Sequence, residues 1–270
     1  MRKNIVQHVP SPGTLRRTLR KAIFGKRVHC PWCGSYSFRS IKREERWRCN
    51  ACDKPFSLKS CCWLRGSKLD LETIWLLLHC WQKKYPLLHA MDMTDISYPT
   101  ARRWYGLFRR HIPQERLDIL LSGNIAADEM FTRDTAIIGA KQKGTRRVAF
   151  RVLHEKHPNK GHAVDFLSRF TKANSNLFTD GSAIYRGIDN WHRLKHRYEI
   201  HSKFEFADTA EIEGVWGCFR TFVRRVYHHC TIYKLEDMVK EFCLRFRRDE
   251  IFESPQNYWS ICLSPKPFAL

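Results

Sequence analysis

The sequence predicts an α/β chain built from several small units, on three observations. Apolar, β-prone runs alternate with runs at helical spacing over residues 123–250, residues 69–112 carry helical periodicity, and two C-x2-C pairs sit fifteen residues apart within 29–60. At 270 residues the chain is long enough for two or three separate cores.

Residues 1–28 form a basic N-terminal segment. A loop with Pro10, Pro12 and Gly13 precedes Leu15, Leu19 and Ile23, whose spacing predicts a short helix with Arg16, Arg17, Arg20 and Lys21 on its polar side. In the unit 29–60, Cys30, Cys33, Cys49 and Cys52 have the spacing of a four-thiolate zinc ribbon. Each pair offers two sulfurs from a tight knuckle. Gly34 takes the unusual dihedrals after the first pair, and Phe38, Trp47 and Phe56 supply a small apolar filling. A unit of roughly 30 residues buries too little surface to fold alone, so one structural Zn²⁺ is expected to supply the missing stability. Four thiolates leave that ion no open position, which excludes it from catalysis.

In the unit 69–112, Leu71, Ile74, Trp75 and Leu78 predict a helix running to about Lys84, and a second short helix spans Pro86 to Met91. After a polar break, Asp92 to Asp95, Ser97 is a good N-cap for a third helix from Tyr98 to Arg110, with Pro99 in its first turn. Two short helices across a polar turn make a helix-turn-helix pattern. Its third helix then presents Thr100, Arg102, Arg103 and Arg109 to DNA.

Within 123–250 the runs Asn124 to Phe131, Thr135 to Lys141 and Arg147 to Leu153 read as an antiparallel meander. A helix from Ala163 to Lys172 follows, then a buried strand from Asn176 that ends at Asp180-Gly181, and a helix capped by Ser182 that carries Ile184 and Tyr185. Asp208 with Glu211 gives a capping box for a longer helix, whose apolar stripe is Ile212, Val215, Trp216, Phe219, Val223 and Val226. Glu213, Gly217, Arg220 and Arg224 line one flank of it; Glu211, Cys218 and Arg225 line the other. Asp128 thus lies inside the first strand and Asp180 at the end of a later one, where a carboxylate is costly without a compensating cation. Two strand carboxylates and a helix glutamate meeting at one point suit two oxygen-seeking cations about 4 Å apart that drive in-line phosphoryl displacement. Periodicity does not say which glutamate serves. Glu129 is expected on the opposite face of its strand, away from any cation. The tail 251–270, with Pro255, Pro265 and Pro267, reads as irregular.

Charge narrows the partner. Lys and Arg number 48 against 27 Asp and Glu, a net +21, and residues 1–122 alone carry +15 of it. That excess, interleaved with aromatic residues, favours a polyanion, because each cation set on a phosphate releases a counterion. No apolar run approaches the ~20 residues of a membrane span, so no membrane partner is expected, and no signal-peptide core follows the N-terminus. Eleven cysteines, mostly single among apolar residues, point to a reducing intracellular compartment. His154-Glu155-Lys156-His157 is not a zinc-protease motif, no glycine-rich loop ends in Gly-Lys-Ser/Thr, and Gly181-Ser182 lacks the spacing of a nucleophile elbow.

The order of these parts resembles a known family. A zinc ribbon, a helix-turn-helix, Asp128-Glu129, Thr179-Asp180-Gly181 with Tyr185-Arg186-Gly187, His201-Ser202, and Ile212-Glu213-Gly214-Val215-Trp216 look like the DDE transposases of the Merlin type and their bacterial insertion-sequence relatives. The likeness spans roughly residues 29–250 and continues through His228-His229 and Glu241-Phe242 to Arg245. It implies an RNase H-like mixed sheet flanked by helices, with Asp128, Asp180 and Glu213 as catalytic carboxylates for two Mg²⁺ or Mn²⁺ ions. It further implies transposon terminal inverted repeats and target DNA as partners, and a homodimer or larger assembly on DNA. Cytoplasm or nucleoid would be the setting in a bacterium, the nucleus in a eukaryote. Two positions depart from the family: Arg220 and Glu211 stand where relatives tend to carry Lys and His or Asn. Arg220 and Arg224 would grip phosphate on the flank of Glu213, and Glu211 would add negative charge near the cations. Rival readings are a domesticated, inactive DNA-binding derivative and a zinc-ribbon transcription factor, the latter leaving the three carboxylates idle.

Overall fold

The structure, a computed structural model, describes residues 9–41, 45–132, 135–199, 209–228 and 231–263. His201, Ser202, Asp208 and His229 lie outside them. The chain divides into two compact units, residues 1–113 with 250–270, and residues 114–249.

In the first unit, α1 (Pro12–Phe24) starts where the Ser11 side chain accepts from Thr14 N and Pro12 presets the first turn, and it buries Leu15, Leu19 and Ile23. Strands β1 (Phe38–Ile41), β2 (Arg46–Cys49) and β3 (Pro55–Phe56) form an antiparallel sheet in that order. Phe38, Trp47 and Phe56 pack on one another across it, and Phe24 of α1 meets Trp47 edge-on. Helices α2 (Leu71–Gln82), α3 (Leu87–Thr94) and α4 (Tyr98–Arg110) pack together around Trp81, Tyr105 and Phe108. The expected break at Asp92 to Asp95 is shorter than the sequence suggests. Thr94 bonds back to the Ala90 carbonyl, helix continues through it, and the turn is made at Asp95, whose left-handed backbone returns its N–H to Met91.

In the second unit the short helix α5 (Gln114–Leu117) leads into a five-stranded sheet. Strands β4 (Asn124–Phe131), β5 (Ala136–Gln142) and β6 (Val148–Val152) are the antiparallel meander, followed by α6 (Lys160–Phe170). Strand β7 (Asn176–Asp180) then adds parallel to β4, and β8 (Lys195–Glu199) adds parallel to β7. The order β6-β5-β4-β7-β8, with only β5 reversed, is the RNase H-like mixed sheet. Helices α7 (Ala210–Tyr227) and α8 (Ile232–Phe246) complete the unit. One face of the sheet packs Ile125, Ala127, Ile138, Ala140 and Leu177 with Ala163, Phe166 and Leu167 of α6. The other face receives α7, whose Trp216 and Phe219 pack around Phe150 with Phe242 of α8.

Four local expectations change. Ser182 opens a single 3-10 turn, Ala183–Tyr185, and makes no cap bond. The N-cap of α7 is Thr209, and Glu211 reaches Lys141 and the Gly144 N–H instead of closing a capping box. Phe222, rather than Val223, is the buried residue on that turn of the helix. The tail is not irregular throughout: α9 (Pro255–Cys262) is capped by Ser254 and belongs to the first unit, where Tyr258 donates to the Phe108 carbonyl at 2.7 Å and Gln82 donates to the Ser254 carbonyl at 2.7 Å. Proline at the first position of a helix favours that helix, which is why Pro255 misleads as a breaker.

Candidate active site

The four cysteines of the ribbon come together as their spacing requires. Their sulfurs all lie within 4.8 Å of one another, with Cys30 to Cys52 at 3.7 Å and Cys33 to Cys49 at 3.6 Å. A tetrahedral ion with Zn–S bonds near 2.3 Å needs sulfurs about 3.8 Å apart, so the donor set fits Zn²⁺. Backbone N–H groups of Cys52 and Ala51 pull the Cys49 thiol down to about 6, while burial pushes Cys30 up to about 12. The knuckle therefore offers thiolate-stabilising donors before any ion enters.

In the second unit, strand geometry builds the acidic centre. Asp128 sits on β4 opposite Gly139 of β5, and its two oxygens accept from Glu129 N at 2.8 Å and Trp216 Nε1 at 3.1 Å. Gly139 makes the second bond possible: a Cβ there would lie 2.5 Å from Trp216 Cη2, so only glycine lets the indole lie flat on the sheet. Asp180 closes β7, with Ser182 N–H donating to its Oδ1 at 3.1 Å. Parallel pairing of β4 with β7 ends at Ala126 and Phe178, so Asp128 and Asp180 border a gap between diverging strand ends. Among the described residues, Asp128, Asp180 and Glu129 offer carboxylate oxygens all within 4.8 Å of one another.

Glu129 corrects the sequence reading. Alternation does start its side chain on the face opposite Asp128, but a glutamate is long enough to curl into the strand gap. Burial pushes Asp128 up to about 6, and the charge of Asp180 adds to that. Burial pushes Glu129 up to about 8, with the charges of Asp180 and Asp128 next. Among the described residues, no cationic side chain is one of the groups that set either value.

Glu213 lies outside that three-carboxylate cluster. It stands exposed in the first turn of α7, accepts from Thr209 Oγ1 at 3.3 Å, and its charge is felt at Asp128. Arg220 and Arg224 are exposed on the same flank. Glu211 does not burden the centre, contrary to expectation, because Lys141 of β5 pairs with it and holds its carboxyl below the usual range. Beside Asp180 a cavity of about 490 Å³ is lined by Arg186, His196 and Tyr198. Arg102 and Arg103 are exposed on α4, whereas Arg109 is half-buried.

Three features escaped the sequence: Glu129, the Trp216 indole N–H and Lys141. Trp216 had a signal in its place on the apolar stripe with one polar atom needing a partner; the other two had none, because pairing across strands is not local.

Residues 122–249 match the ISXO2-like transposase domain. Residues 13–55 match the transposase zinc-ribbon domain. The two matches, a transposase domain model behind a transposase zinc-ribbon model, enclose every carboxylate and cysteine just described. No curated protein sequence matches the chain. Among solved structures, the catalytic core domain of BIV integrase is similar at 9% identity over 47% of this chain and 82% of that one, with a TM-score of 0.32. The simian T-cell lymphotropic virus intasome in complex with the PP2A regulatory subunit B56 gamma is similar at 9% identity over 63% of this chain and 67% of that one, with a TM-score of 0.36. Among the described residues no helix is long and apolar enough to cross a membrane.

Proposed function

We propose that the chain is a DNA transposase of the DDE type, related to Merlin-type elements, that cleaves transposon ends and joins the freed 3′-hydroxyl to target DNA. The observation that carries this is the meeting of Asp128, just past the stretch of β4 that pairs with β7, and Asp180 at the end of β7, inside the region that matches a transposase domain. The donors suit hard divalent cations: every ligand atom is an oxygen, and Glu129 Oε1 is buried with no hydrogen-bond partner that a cation would replace. Asp128 and Asp180 would hold a pair of Mg²⁺ or Mn²⁺ ions, with Glu213 completing one site from α7. Bound there, the ions lower the pKa of the attacking water or 3′-hydroxyl and offset charge on the leaving 3′-oxygen.

The chain's own groups do the rest. Trp216 and the backbone of Glu129 hold both oxygens of Asp128, so its orientation is set before substrate arrives. Arg220 stands two turns beyond Glu213, about 10 Å along the helix axis, and with Arg224 lines the path of the backbone phosphates. In each step one P–O bond forms as another breaks in line, first with water and then with the 3′-hydroxyl as nucleophile, and no protein–DNA covalent bond is needed. Arg102, Arg103 and Arg109 on α4, with the ribbon, would bind element ends. Synapsis of two ends calls for at least two copies on DNA, and a transposase of this kind works where its DNA is, inside the cell.

A strand-transfer assay with an oligonucleotide transposon end and Mg²⁺ or Mn²⁺ tests the reading. Wild type is expected to nick and join, and Asp180→Asn to lose both activities by several orders of magnitude. Equal behaviour of the two proteins would leave only the DNA-binding derivative standing.

A further inference from the structure

Glu129 and Tyr185 share one unresolved polar problem. Tyr185 is 0% exposed and directs its hydroxyl toward the Glu129 carboxylate from the turn beneath β4. Both Glu129 Oε1 and Tyr185 Oη are nevertheless buried without a hydrogen-bond partner. Interiors rarely keep two such atoms side by side, because a poorly formed mutual contact does not replace the water each has lost. Among the described residues, the side chains acting on the Glu129 carboxyl are Asp180, Asp128 and Tyr185. What the site does hold is two further carboxylates, with an oxygen of Glu129 within 4.8 Å of both. An acidic cluster lined by a fully buried hydroxyl suits a group that arrives from outside, and three carboxylate oxygens within 4.8 Å of one another suit a divalent cation.

We propose that Glu129 is a cation ligand. With Asp128 and Asp180 it forms a three-carboxylate seat belonging to the sheet alone, while Tyr185 is a positioning residue that donates to the Glu129 oxygen turned away from the ion. This rests on the metal-dependent reading above and deepens it: one ion is seated by strand residues without Glu213, and Glu213 serves the other. The separation follows from the backbone. Asp128 and Glu129 are consecutive on β4 and Asp180 closes the next strand, so their spacing is fixed by the sheet, whereas Glu213 is carried by a helix of its own.

The zinc-loaded full chain titrated with Mn²⁺ alone, with free ion counted by electron paramagnetic resonance, tests this without any DNA reaction. Wild type is expected to bind Mn²⁺, Asp180→Asn to lose binding, and Glu129→Gln to lose at least about tenfold in affinity for the tighter ion. Tyr185→Phe is expected to weaken it by a smaller factor and to change the line shape of bound Mn²⁺, which loss of packing elsewhere would not do. Glu129→Gln binding at wild-type strength while Asp180→Asn does not would overturn Glu129 as a ligand and leave the transposase reading intact. Absence of Mn²⁺ binding by wild type would overturn both. Circular dichroism checks folding; should Glu129→Gln unfold, Glu129→Asp, which withdraws the carboxylate by one methylene, carries the same expectation and the same refutation.

Discussion

Gly139→Ala should damage the acidic centre without touching an acid. The added Cβ would stand 2.5 and 2.6 Å from Trp216 Cη2 and Cζ2 and 2.8 Å from Phe150 Cδ1, where ordinary contact begins near 3.4 Å. Both rings must therefore retreat, the indole by roughly 1 Å and Phe150 by roughly half that, into space already filled by their mutual stacking at 4.2 Å between centroids. Overpacking of this kind costs about 1–3 kcal/mol. Moving the indole also stretches its 3.1 Å bond to Asp128 beyond hydrogen-bonding distance, a loss of about 1.5–3 kcal/mol for a charged acceptor. The two losses are alternatives in part, since a ring that bends the sheet keeps its bond. Replacing glycine in a strand returns about 0.5–1 kcal/mol of chain entropy. A net destabilisation of about 2–3 kcal/mol is expected from urea unfolding followed by far-ultraviolet circular dichroism. Trp216→Phe in the same background should recover part of it, because the smaller ring vacates the contested space. A Gly139→Ala protein within about 0.5 kcal/mol of wild type, with unchanged Mn²⁺ binding, would refute the claim that this glycine seats the indole on Asp128.

Three further outcomes are expected. In chelator, the thermal midpoint of the unit 114–249 should fall as pH rises from about 4 to 8: a carboxyl whose folded value is raised stabilises the fold below its ordinary value near 4 and loses that contribution as pH passes about 6 for Asp128 and about 8 for Glu129. Asp128 alone accounts for roughly 3 kcal/mol of the stability lost over this range, Mn²⁺ should flatten the fall, and a midpoint that climbs instead would contradict the burial argument. Stripping zinc should melt the ribbon separately, and calorimetry showing a single unchanged transition would exclude a structural ion on Cys30, Cys33, Cys49 and Cys52. Affinity for duplex DNA should fall steeply with salt, and Arg102→Ala with Arg103→Ala should lower the log–log slope by about 2; an unaltered slope would remove α4 from the DNA interface.

Local order was legible in the sequence wherever one element sufficed to state it. The cysteine spacing, the meander from Asn124 and the helix opening at Ser97 each depend on neighbours a few positions away, and they appear with nearly the expected bounds. Strand β8 was not legible, because Lys195–Glu199 is an edge strand with polar residues on both faces and no alternation to read. Glu129 failed for a different cause: alternation states where a side chain leaves the strand, not where a three-bond side chain ends when the neighbouring strand diverges after Phe178. The pairing of Lys141 with Glu211 joins positions 70 apart, and that of Trp216 with Asp128 joins positions 88 apart. Sequence alone determined which residues could supply sulfur, oxygen and positive charge. The tertiary structure decided which carboxylates come together and which charge is neutralised elsewhere, since distances between strands and helices are set by packing of the whole core and not by any segment within it.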